Sequence, residues 1–191
     1  LSRTSGGISL LPNTLKSELN LINNCLVNEV RKYDNCIRIF YDDKYKEFDY
    51  VVFATKASVV AKIFKSADIL QKEYLSNVEY SKTVVCTFRV PHYFVKDLGI
   101  LFGSHDQDNG IALIKNESIK GEEYISGKNT TISVYLKSNF ANELLDKSDE
   151  EISKVVYKSL ISIDFFANFK NEIHFHSLKR WSKAMPIFSP Q

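Results

Sequence analysis

Three observations make this an α+β sequence. Short β-prone runs cluster between Leu26 and Thr55 and again between Val78 and Lys137, rich in β-branched and aromatic residues and bounded by polar turn residues. A capping box, Ser148-Asp149-Glu150-Glu151, opens a stretch in which Ile152, Val155, Val156, Leu160 and Ile163 recur at helical spacing. The composition, 44% hydrophobic and 13% aromatic with 25% charged over 191 residues, supports a buried core and argues against disorder. The expectation is a mixed or antiparallel sheet with packed helices, joined to a small three-stranded piece.

The elements follow in order. Pro12-Asn13 precedes a helix over residues 14–21, with Leu15, Leu19 and Ile22 on one face. Leu26, Val27 and Val30, then Ile37, Ile39 and Tyr41, give two strands separated by the turn-forming Tyr33-Asp34-Asn35. After the charged segment 42–47 comes an apolar run of Phe48, Val51, Val52, Phe53 and Ala54. It reads as a third strand covered on both faces, delivering Ala54-Thr55 to a loop where ligands are commonly met. Helices are expected over 57–64 and 68–75. The β-prone stretch 78–94 sets Val84, Cys86, Phe88 and Val90 on one face and Thr83, Val85, Thr87 and Arg89 on the other. Further strands are expected at 100–102, 111–114 and 131–137, with polar loops at 104–110 and 116–128. A last strand over 172–178 would put His174 and His176 on one face, but the sequence offers no third ligand, and no metal site is assigned.

Charge and cysteine usage narrow the partners. The 25 basic and 23 acidic residues leave a net charge of +2, and no basic run marks a nucleic-acid footprint. Cys25, Cys36 and Cys86 are odd in number and far apart, which reads as small buried hydrophobes in a reducing compartment. No stretch approaches the roughly 18 apolar residues of a membrane span. Leu1 to Gly7 lacks the pattern of a signal peptide, so a cytoplasmic location is expected.

The order of Gly6-Gly7 before a helix, Val27-x-x-Val30, and then Asp49-Tyr50-Val51-Val52-Phe53-Ala54-Thr55 resembles the middle of a flavin-dependent amine oxidase. That superfamily includes protoporphyrinogen oxidases and carotenoid desaturases. Downstream, Arg180-Trp181-Ser182-Lys183-Ala184-Met185-Pro186 is similar to the Trp-to-Pro segment that precedes the last flavin-binding motif of the protoporphyrinogen-oxidase branch. The resemblance runs from about Gly6 to Pro190. Two parts of the family pattern are missing. The sequence has no G-x-G-x-x-G turn to let backbone amides approach the pyrophosphate, and it stops before the Gly-Asp segment near the ribityl chain.

The resemblance therefore implies an internal fragment of an FAD-dependent oxidoreductase that removes a hydride from a C–N or C–C bond of a largely apolar small-molecule substrate, large and partly hydrophobic like a porphyrinogen or polyene rather than a small polar amine. Residues 1–77 would belong to the FAD-binding domain and 78–180 to the substrate domain, with 181–191 returning toward the FAD domain. Alone, the fragment would hold no flavin firmly and turn nothing over. By the match, Val27 pairs its backbone with adenine, Ala54, Thr55 and Trp181 lie along the cofactor, and Val84, Cys86, Phe88 and Arg180 approach the substrate. Amine-oxidising members often carry a lysine near the flavin, whereas the register here puts Val84 there with Lys82 close by. That favours a protoporphyrinogen-oxidase-like or desaturase-like enzyme. Lys56 stands where the family usually has proline, and no catalytic acid, base or nucleophile is assigned.

Two alternatives stay open. A UDP-sugar mutase-like flavoprotein would need several of Arg3, Arg31, Arg38, Arg89 and Arg180 to converge on a diphosphate. A cofactor-free α+β binding module would need none of this.

Overall fold

The computed structural model describes residues 9–103 and 109–188; Arg3, Gly6-Gly7 and most of the 104–110 loop lie outside them. The chain divides into two compact units, Ser2–Glu79 and Tyr80–Gln191. No described helix is long and apolar enough to cross a membrane.

In the first unit, α1 spans Leu10–Lys16 and so starts earlier than the expected 14–21. Pro12 falls in its first turn, where a missing N–H costs no intrahelical bond. Strands β1 (Val27–Lys32), β2 (Ile37–Tyr41) and β3 (Lys44–Phe48) form an antiparallel meander in that order. The third strand is not where the apolar run predicted it. Asp42 and Asp43 both take positive φ, 45° and 59°, which makes the two-residue hairpin turn whose twist suits antiparallel strands. Tyr41 then pairs with Lys44, and Ile37, the first residue of β2, pairs with Phe48. Nothing of β2 remains for residues 50–54 to pair with. They run on without a ladder, and Tyr50 and Val52 are each 89% exposed. Helix α2 spans Ala57–Ile63 and α3 spans Ile69–Asn77, the latter opened by a reciprocal cap between Asp68 and Gln71. Phe64 bridges to Val30, and the Lys65 N–H donates to the Val30 carbonyl at 2.9 Å.

The second unit is built on a five-stranded, wholly antiparallel sheet. Its elements are β4 (Thr83–Pro91), α4 (His92–Val95), β5 (Ile100–Phe102), β6 (Ile111–Asn116), β7 (Asn129–Leu136), α5 (Ser138–Leu144), α6 (Asp149–Ile161), α7 (Asp164–Ala167) and β8 (His174–Trp181). The strands lie in the order β5-β6-β7-β4-β8. The β-prone stretch narrows to β4 because the chain turns helical directly after Pro91, and Phe94 stacks on Phe169 with centroids 3.9 Å apart.

The alternation read from the sequence sorts the sheet into two unlike faces. Val84, Cys86, Phe88 and Val90 pack with residues of β7 and with Ile152, Val156 and Leu160 of α6, all fully buried. The capping box at Ser148 and Glu151 starts α6 as expected. On the opposite, open face Ser133 of β7 is bonded by Glu117, the first residue of a 3-10 turn. β8 begins later than predicted, after a 3-10 turn at Lys170–Glu172. A bulge opposite Thr87 and Phe88 pairs these residues with Ser177 and Phe175 and makes His176 the extra residue. Strand alternation therefore does not carry through the two histidines. The loop expected at 116–128 is partly ordered as two 3-10 turns, Glu117–Lys120 and Glu122–Tyr124.

Candidate functional site

The two faces of the sheet separate the predicted site residues into buried and accessible. Val84, Cys86 and Phe88 are 0% exposed; they are core residues under α6, and no substrate reaches them in this structure. Burial pushes the Cys86 thiol up to about 12, with Arg180 opposing and Asp149 reinforcing the shift. The accessible side of β4 is the other set, Thr83, Val85, Thr87 and Arg89.

Arg180 also departs from expectation. It pairs in register with Val84, on the helix-covered side. Its Nε donates to the Leu145 carbonyl at 3.1 Å, its Nη2 to the Lys147 carbonyl at 2.7 Å, and its Nη1 meets the Asp149 carboxylate at 2.5 Å. A planar guanidinium suits such a three-way contact. Arg180 is thus a clamp between the segment leaving α5 and the start of α6.

Trp181 falls on the open face, opposite Thr83, and is 47% exposed with the Lys179 ammonium 5.8 Å from its ring centroid. In the first unit, Val27 opens β1, where a bulge between Val27 and Glu29 breaks the ladder with β2. Ala54 and Thr55 are exposed in the segment leading to α2. Lys82 donates from Nζ to the Asn142 side-chain carbonyl at 2.5 Å.

The open face has its own chemistry. The pairings place Leu113 and Lys115 of β6 beside Tyr135 and Ser133 of β7, then Val85 and Thr87 of β4, then Lys179 and Ser177 of β8. This is a partly apolar floor edged with cations. Over it folds a polar group that the sequence did not reveal. The Ser133 hydroxyl donates to Glu117 at 2.7 Å, and the second oxygen of this buried carboxylate pairs with the Lys120 ammonium. Asn116 fixes the turn, donating to the Val95 and Leu98 carbonyls at 2.7 and 3.0 Å while accepting from the Ser118 N–H and hydroxyl. The sequence signal was only a glutamate three residues before a lysine in a polar stretch, which carries no periodicity to mark burial.

Among the described residues no three His, Cys, Asp or Glu side chains come together to hold a metal. A shallow apolar recess of about 220 Å³ lies among Leu101, Ile111, Ile114 and Ile163, and none of the predicted site residues lines it.

The sequence matches the family model described as flavin containing amine oxidoreductase over residues 1–189. No curated protein matches. Among solved structures, wild-type putrescine oxidase bound to putrescine superposes with a TM-score of 0.68 at 14% identity, covering 92% of this chain and 38% of its own. Cyclohexylamine oxidase from Brevibacterium oxydans IH-35A gives 0.64 at 13% identity, with 82% and 34% covered. A protein from Exiguobacterium sp. 255-15, provisionally assigned as a protoporphyrinogen oxidase, gives 0.62 at 12% identity, with 86% and 36% covered. The chain thus spans somewhat more than a third of the length of these structures.

Proposed function

Because the chain belongs to the flavin containing amine oxidoreductases, whose cofactor in the full-length protein is FAD, we propose that it is the central part of an enzyme that removes a hydride from a C–N or C–C bond of a largely apolar substrate. The observation that carries this reading is the match over nearly the whole chain, joined to a sheet with one helix-covered face and one face on which the β4 side chains stay partly exposed.

The residues fit a flavin nucleotide in part. Val27 at the broken end of an edge ladder, the small side chain of exposed Ala54 and the exposed Thr55 leave backbone open to a ligand. In the first unit these residues would hold the cofactor; in the second, Trp181 is read as a cofactor residue by the family match alone. The glycine turn for the pyrophosphate is not in this sequence. When bound, FAD supplies the hydride acceptor.

What falls to this chain is positioning. Val85, Thr87 and Tyr135 give the open face a floor that binds an apolar body and excludes water from it. Lys179 and Trp181 mark one border. With Val84, Cys86 and Phe88 buried, the substrate side of β4 is read as Thr83, Val85 and Thr87 instead.

Nothing favours a sugar-nucleotide mutase. Arg31 is paired with Glu29, Arg38 with Glu47 and Arg180 with Asp149, and Arg89 sits on the sheet face opposite to Arg180.

The test is the visible absorption spectrum of this chain produced together with the sequence that flanks it in its gene. A flavin spectrum that bleaches when an apolar amine or a polycyclic hydrogen donor is added supports the proposal. A colourless protein that takes up no added FAD overturns it.

A further inference from the structure

The charge on the open face bears on the substrate. Among the residues that the pairings assign to this face, Arg89, Lys115 and Lys179 are cationic and none is Asp or Glu. The neighbouring acids are already engaged. Glu117 is taken by Lys120 and Ser133, Glu172 accepts from the Tyr93 hydroxyl at 3.1 Å, and Asp149 lies with Arg180 on the covered side. No carboxylate of the described residues pairs with Arg89, Lys115 or Lys179. From strand spacing and rise these three cations stand about 12 to 16 Å apart, with Thr87 and Ser133 between them, Val85 and Tyr135 alongside and Trp181 past Lys179 on the edge strand.

We infer that this face takes a small, soluble molecule with an apolar body and one or more carboxylates, rather than a cationic amine. The inference deepens the proposal above, resting on its reading of the open face as the substrate side. Apolar burial binds the body of such a ligand, and the cations, which no described carboxylate neutralises, select the sign of its charged end. An ammonium would meet three like charges, and the one carboxylate at hand, Glu117, is already neutralised.

Trp181, the only tryptophan, lies on this face and reports occupancy without any flavin. The experiment titrates the chain with dodecanoate and, separately, with dodecylamine, both below their micellar concentrations, and follows tryptophan emission. Dodecanoate is expected to give a saturable change and the amine little or none. The double variant Arg89→Gln, Lys115→Gln should weaken dodecanoate about tenfold, as expected of removing two partly exposed charges. The control Lys154→Gln, Lys158→Gln on α6, of equal net charge, should bind as the parent does. Equal binding of the two amphiphiles, tighter binding of the amine, or silence with both would overturn the inference. So would a response that appears only with anionic lipid vesicles, which would assign the face to a membrane surface. None of these outcomes depends on a flavin spectrum, so this inference and the redox proposal can fail separately.

Discussion

Cys86 shows how much of a side chain's setting depends on elements far along the chain. Its alternation with Val84 and Phe88 was plain in the sequence; which face of β4 would be covered was not, because that depends on a helix more than sixty residues later in the chain. Burial and the raised thiol make Cys86 a poor nucleophile. A thiol reagent added to the native chain should modify Cys25 and Cys36, which are partly exposed and lie outside the strands, and reach Cys86 only after denaturant. Rapid labelling of all three would contradict the placement. Phe88→Ala should cost about 3 to 5 kcal/mol in chemical denaturation, the usual range for emptying a fully buried phenylalanine site. Arg180→Ala should cost about 2 kcal/mol through lost charge-assisted bonds to two carbonyls. Arg180→Lys should recover only part of this, since an ammonium cannot reach all three acceptors in one plane.

Helix α6 and the Asp42-Asp43 hairpin behave as independent local devices. In the cap of α6 the Ser148 side chain and backbone hold the Glu151 carboxyl below its ordinary value of 4.5, and Lys154 does the same to Glu150. A depressed carboxyl stabilises the fold above its ordinary value and loses that contribution as pH falls through the lowered one. Helical circular dichroism should therefore hold from neutral pH to near 4.5 and decline below it. Ser148→Ala should cost about 1 kcal/mol and flatten that acid limb, because Glu151 loses its partner. In the hairpin, Asp43→Gly should relieve the cost of a left-handed residue at φ of 59° but give back roughly 0.5 to 1 kcal/mol of chain entropy, for a net change in the urea midpoint worth less than about 1 kcal/mol. The cap was legible in the sequence because it is local. The third strand was misplaced because the apolar run of 50–54 outweighed two adjacent aspartates, and α5 was missed because its short, polar sequence carries little periodicity.

The two units are unequally equipped to stand. The core cluster belongs to the second unit, with α6 laid over the sheet, while the buried apolar residues of the first are Val30, Val60 and Ala67. Native-state hydrogen exchange should find slow amides on β4 and β7 and fast ones throughout β1 to β3. Limited proteolysis should cut before Tyr80 first and leave a resistant product that starts near it; uniform protection of both units would contradict this. The overall class, and most of the second unit's strands, followed from alternation. The accessible site face did not, because alternation names two faces without saying which one a helix will cover. The bulge on β8 bears on a different property, the protein's behaviour at high concentration. β8 is an edge strand of the larger sheet, and an edge is a template for another chain's backbone. The inserted His176 interrupts the regular row of amides, and Lys179 puts positive charge on the strand. Two copies approaching edge to edge would meet a kinked backbone and like charges, so this border of the sheet resists growth into fibrils.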